Sequence, residues 1–220
     1  MLGRLEQMLQ SRLEQVLQAT QVRFRLAVVF LRCTYTTLLV VTNDSVTTKV
    51  SRERMRAKDA IETLARGIKY DPHRLGNEVI PKSTGLYAWF TRDDKEIVYI
   101  GVAQGKNGLH QRIIKQHLNP KYLETRESKF TEKDQYQLEH PVIVKGRKAI
   151  DKSAFRKNVA RNNSLSPGQE SVDFIRNSFL LSFIVFRDGN KADLQKLEEA
   201  VIKIKEPKYN VSRNPAIEIG

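Results

Sequence analysis

Three kinds of residue in this chain sit where their chemistry is hard to ignore. The first is a carboxylate. Residues Ala192 to Lys205 have helical spacing and stop before Pro207. With Leu194 as origin, Leu197, Val201, Ile202 and Ile204 form an apolar arc on a wheel of about 100° per residue. Glu198 falls inside that arc, about 40° from Leu194, whereas Glu199 falls outside it, at about 140°. A carboxylate on a core-facing stripe is costly unless something compensates it. An Arg or Lys partner, a metal ion or a catalytic site would each do so, and the helix alone leaves all three open.

The second kind is a pair of tyrosines. Gly85-Leu86-Tyr87-Ala88-Trp89-Phe90 and Ile97-Val98-Tyr99-Ile100-Gly101-Val102 are rich in aromatic and β-branched residues, as strands are. The charged segment 91–96 suits a hairpin loop. Each strand sets a tyrosine near a glycine, and glycine in a strand marks a close backbone approach or a bulge. The third kind is a cation, Arg112, in a helical pattern from Leu109 to Leu118 that follows a Gly-rich turn. Leu109, Ile113, Ile114 and Leu118 make its apolar side, and Arg112 lies off that stripe.

Taken in order, Gly85-Leu86-Tyr87, Tyr99-Ile100-Gly101, Arg112, Glu198 and the ending Pro207-Lys208-Tyr209-Asn210 resemble the signature of the GIY-YIG nuclease family. The resemblance covers residues 84–118 and 179–210. It implies an α+β fold, with a small three-stranded antiparallel sheet flanked by helices. It also implies hydrolysis of DNA phosphodiester bonds with one divalent cation, Mg²⁺ (or Mn²⁺). Glu198 would be the metal ligand, and the family pattern and the wheel select it independently. Arg112 would pair with a phosphate oxygen through its planar fork. Tyr87 would position or deprotonate the attacking water, Tyr99 would share its network, and Asn210 would orient the site. Many family members carry a His or Tyr four residues after the arginine. Here that position is Gln116, and His117 follows at five. A regular helix puts His117 about 140° from Arg112, at the edge of the core, so it reaches the site only if the helix is irregular.

Other elements must position these residues. The 220-residue chain has net charge +13, which favours a polyanionic partner such as nucleic acid or an acidic membrane. Its single cysteine, Cys33, excludes an internal disulfide framework and a cysteine-based zinc site. The N-terminus lacks a signal-peptide layout, and the apolar run 26–41 is too short and polar for a membrane span. An intracellular, cytoplasmic protein is therefore expected. Residues 1–78 read as an N-terminal α/β extension, with an amphipathic helix from Leu5 to Ala19, strand-like runs at 22–28 and 36–41, and a helical stretch from Ser51 to Ile68. Residues 79–220 read as the nuclease-like domain. Leu180 to Phe186 suits a central strand buried on both faces.

Residues 119–178 read as a basic, partly helical insertion. From His140 to Leu165 there are seven Lys or Arg and one acid. Lys148, Lys152, Arg156, Lys157 and Arg161 are its expected phosphate contacts, and Asn158 or Arg161 would reach base edges if cutting is sequence-specific. Two other readings stay open. One is a non-catalytic nucleic-acid-binding protein on the same scaffold, which would not need Glu198, Arg112 and both tyrosines together. The other is an interaction protein assembled through the helix Leu5–Ala19. A homodimer through the N-terminal part would also suit a nuclease that cuts both strands.

Overall fold

The computed structural model describes residues 49–50, 55–76, 78–186 and 190–210. All of them lie in the unit spanning residues 38–220. The expected helix Leu5–Ala19 and the two runs that follow it lie outside the described residues.

The protein is mixed α+β. The expected hairpin is present as β2 (Gly85–Thr91) and β3 (Ile97–Ala103), antiparallel, with Tyr87 opposite Gly101 and Trp89 opposite Tyr99. β7 (Phe179–Phe186) pairs antiparallel with the other side of β2. β2 is therefore the middle strand of the antiparallel trio, and β7 is an inner strand too, as its apolar run suggests, because a further strand pairs on its other side. Beyond β7 lies β1 (Lys49–Val50), a two-residue parallel addition. Tyr70 bridges to Leu181 on the same side.

Alternation of side chains along the strands gives the sheet two faces, and helices cover both. On one face Leu86, Ala88, Phe90, Ile100 and Val102 pack against helix α1 (Ala57–Arg66) and the long helix α6 (Lys191–Lys205). α1 contributes Ala60 and Leu64, both fully buried, so residues set apart in the sequence as an extension share a core with the hairpin. On the other face Tyr87, Trp89, Leu181 and Val185 meet residues from the segment after β3 and from helices α4 (Ala154–Asn163) and α5 (Gln169–Ser178).

The segment 119–178 also has a sheet that the sequence did not announce. Strands β4 (Leu123–Glu124), β5 (Val142–Val144) and β6 (Arg147–Asp151) are antiparallel in the order β4-β6-β5. Helix α3 (Gln135–Glu139) precedes β5. The β5–β6 turn, Lys145-Gly146, has positive φ at both positions (51° and 75°), the conformation of a tight hairpin turn, and Gly146 adopts it without steric cost. Phe155, Val159 and Ile175 belong to the main core, so this segment is one layer of the fold.

Arg156 holds that layer together. It is wholly buried and ion-paired with the equally buried Asp151. It donates to the carbonyls of Asn119 (2.6 Å) and Gly168 (3.3 Å) and to Ser171 Oγ (3.2 Å). Asp151 also accepts from Gly168 N–H (3.0 Å) and Gln137 Nε2 (2.9 Å). One guanidinium thus ties β6, α4, α5 and the loop after residue 118. This corrects its expected role: a buried, fully engaged arginine cannot grip a phosphate. Removing one partner of a buried ion pair costs about 3–5 kcal/mol, because the other charge stays buried and unpaired. Arg156→Met should lower the unfolding free energy by that amount in a denaturant titration. Breaking the exposed Glu62–Arg66 pair with Glu62→Ala should change it by less than about 1 kcal/mol.

Candidate active site

The site is built on the outer edge of β3. An edge strand presents N–H and C=O groups that need partners. Here they are met at every second residue. Tyr209 N–H donates to Val98 C=O (2.9 Å). Asn210 pairs with Ile100 twice, its Oδ1 accepting the N–H (2.9 Å) and its Nδ2 donating to the C=O (2.8 Å). Glu198 Oε1 accepts Val102 N–H (3.1 Å). Asn158 of α4 in turn donates to Tyr209 C=O (2.8 Å), fixing the segment that carries Asn210.

Glu198 lies on the buried face of α6 with Leu194, Leu197, Val201 and Ile202, as the wheel predicts, and is 8% exposed. Its neighbour Glu199 is exposed. The compensation for Glu198 includes a backbone N–H of the sheet edge, a partner that helical periodicity cannot show.

Beside this edge opens a cleft of about 350 Å³. Tyr87, Tyr99, Arg112, Glu198 and Asn210 all line it, so five of the residues singled out in the sequence meet in one place. Gln104, Asn158 and Gln195 line it too. Gln195 was missed, although it lies three residues before Glu198 and hence on the same side of α6.

His117 is not a lining residue. It is buried behind Tyr87, with Nε2 2.7 Å from Tyr87 Oη and Nδ1 2.7 Å from Ser153 Oγ. It arrives there because the expected regular helix is not regular. A short α turn, α2 (Gly108–His110), runs into a π-helical segment, Gln111–His117. Leu118 N–H bonds to Ile113 C=O, five residues back, at 2.9 Å. In this geometry residues five apart fall on the same side, so Arg112 and His117 both turn toward the tyrosines. Ser153 caps α4 by accepting Arg156 N–H and also orients His117.

The electrostatics follow from burial. Desolvation, the neighbouring Tyr99 and the Glu198 carboxylate push the Tyr87 phenol well above its usual value, against a smaller opposing pull from Arg112. His117 is held well below the usual imidazole range by burial first, then by Arg112 and Arg156. At neutral pH the pair is therefore a phenol and a neutral imidazole. Arg112 is exposed at the mouth, its guanidinium held by Gln116 Oε1 at 2.8 Å. Among the described residues lining the cleft, Glu198 is the single carboxylate. No group of three or more His, Cys, Asp or Glu placed to hold a metal occurs among the described residues.

The expected phosphate contacts of the 119–178 segment divide into two sets. Lys157 and Arg161 are both turned to Asp134, at 2.9 and 3.3 Å, and Arg161 also donates to Lys133 C=O. Arg156 is buried, whereas Lys157 and Arg161 are partly exposed and ion-paired within the protein. Asn158 is 7% exposed and engaged with Tyr209, so it is a brace of the cleft rather than a reader of bases. Lys148 and Lys152 are exposed, as expected.

No family model, curated protein or solved structure matches the chain. Among the described residues, no helix is long and apolar enough to cross a membrane.

Gly101 sets the position of Tyr87. A Cβ at residue 101 would lie 2.4 Å from Tyr87 Oη and 2.5 Å from its Cζ. Gly101→Ala must therefore displace the phenol, at a cost of about 1–3 kcal/mol. The expected outcome is a folded protein with a lowered melting temperature, in which the ring-nitrogen resonances of His117 shift as its bond to Tyr87 breaks. Unchanged His117 resonances would contradict this placement.

Proposed function

We propose that the protein is a metal-dependent endonuclease that hydrolyses DNA phosphodiester bonds in the manner of the GIY-YIG family. The observation that carries this reading is the convergence of Tyr87, Tyr99, Arg112, Glu198 and Asn210 on one cleft, from positions spread over more than half of the chain. A buried structural carboxylate would need only a partner. Glu198 instead shares an open cleft with an exposed arginine and two phenols.

The donor set suits a hard cation such as Mg²⁺, which is held by one or two carboxylates, keeps several waters and takes further oxygens from phosphate. Glu198 would hold it, with its head fixed by Val102 N–H. Such a cation supplies charge stabilisation at the phosphate and at the leaving oxygen. Arg112, at the mouth of the cleft, pairs with a nonbridging phosphate oxygen through its fork. Tyr87 directs the attacking water. In the tautomer protonated on Nδ1, which donates its hydrogen bond to Ser153 Oγ, His117 Nε2 accepts a hydrogen bond from the Tyr87 O–H. As water attacks phosphorus, its proton passes to Tyr87 Oη and the phenol proton passes to Nε2. The phenol then never needs to become a stable phenolate, which its raised pKa disfavours. Tyr99 packs beside Tyr87 with ring centroids 6.2 Å apart and completes the wall. Asn210 holds the strand edge from which Tyr99 and Gly101 project.

Supercoiled plasmid incubated with the protein should be nicked or linearised in Mg²⁺ and left intact in EDTA. Glu198→Ala should abolish product. A variant that still cleaves with a wild-type rate would remove Glu198 from the chemistry. The pH profile tests the relay. Protonation of His117 removes the Nε2 acceptor, and its pKa is lowered, so activity should persist through the ordinary imidazole range near ~6.5 and fall only at lower pH. His117→Gln should slow cleavage by about 10²–10⁴-fold and lose that acid limb. A limb centred at or above the ordinary imidazole value would exclude the relay.

A further inference from the structure

The β5–β6 hairpin carries cations that the rest of the fold does not use. Lys145, Arg147 and Lys148 are exposed, with no acid between residues 141 and 150. Unlike the cations of α4, their side chains make no ion pair or hydrogen bond with the described residues. Between them stands Ile143, 61% exposed and paired across the ribbon with Lys148, and Val142 is exposed as well. An apolar side chain left in water among unpaired cations suits a surface that is completed by a partner. Charge selects a polyanion, and the ribbon form narrows it further.

We propose that this hairpin is a two-stranded β-ribbon that enters the major groove of duplex DNA beside the cleft. The inference rests on the nuclease reading of the cleft. B-DNA's major groove, about 12 Å wide, admits such a ribbon, and a thymine methyl offers the apolar contact that Ile143 lacks. Lys145, Arg147 and Lys148 meet the flanking phosphates or guanine edges. Covalent continuity sets the reach. β6 leaves the turn at Arg147 and ends at Asp151, after which Ser153 holds His117 and Ala154 lines the cleft. Five strand residues span roughly 17 Å, or about five base steps. The ribbon therefore reads sequence a few base pairs from the bond in the cleft. Duplex RNA, whose major groove is deep and narrow, offers no such entry.

The test is duplex binding in EDTA, followed by fluorescence anisotropy over a range of salt concentrations, with the triple variant Lys145→Gln, Arg147→Gln, Lys148→Gln. The variant should lower the magnitude of the log–log salt slope by up to about 2.7, at about 0.9 for each phosphate no longer neutralised, and weaken DNA binding by at least tenfold at low salt. Ile143→Ala should weaken binding to the preferred DNA sequence more than to a random duplex. A duplex RNA of matched sequence should bind more weakly than DNA and be less affected by Ile143→Ala. Unchanged slope and affinity in a folded triple variant would overturn the proposal, and so would equal binding to RNA. A shift of Ile143→Ala from dimer to monomer in sedimentation, with DNA affinity intact, would assign the patch to a second copy of the chain instead. Mg²⁺-dependent plasmid cleavage by the wild-type protein, measured alongside, keeps failure of the ribbon separate from failure of the nuclease reading.

Discussion

The unpaired edge of β3 is the constraint from which the site follows. A strand in the open costs free energy unless its outward N–H and C=O groups find partners, and a neighbouring strand is the usual answer. Here the answer is a carboxylate, a carboxamide and one backbone N–H, placed at Val102, Ile100 and Val98. Because side chains rather than a strand finish the edge, their heads are held in register with the sheet. The space beside them stays open, and that space is the cleft. The same interactions stabilise the sheet and aim Glu198, so structural and chemical demands on this residue coincide.

A second layer stands behind the tyrosines. Trp89 and Phe155 stack at 5.4 Å, Tyr99 packs on Phe155 at 4.5 Å, and His117 meets Phe155 edge-on at 5.4 Å. This packing removes water from Tyr87 and His117 and so drives their pKa values apart, the phenol up and the imidazole down. It also fixes the rings. Both effects come from α4 and the π segment, which lie far apart in sequence and meet through Phe155, the His117–Ser153 bond and the loops that Arg156 ties together.

Much of this could be read from the sequence. Periodicity reports which face a residue takes, so the hairpin strands and the buried position of Glu198 were legible within a residue or two. The glycine beside each tyrosine marked the close approach that Tyr87 makes to Gly101. What remained hidden was irregular or long-range. A π-helical turn changes the angular step, so a wheel built for a regular helix misplaces His117. Arg156 looks like its neighbours Lys157 and Arg161 in composition, since burial of a cation depends on acceptors such as Asn119 C=O and Gly168 C=O that no local pattern announces. The small sheet β4-β6-β5 was missed because its strands are only two to five residues long, too short for an alternating pattern to show.

The last described residues carry a kinetic consequence. Asn210 reaches back 110 positions to Ile100, and Glu198 reaches back 96 to Val102. Pairings so distant must overcome loop-closure entropy before they contribute, and they tend to form late. The hairpin can fold from local contacts while the chain is still emerging, yet its outer edge stays bare until α6 and the segment after it have arrived. Whatever the cleft does is withheld from the growing polypeptide until residues 198–210 have been made, because they are the piece that completes it.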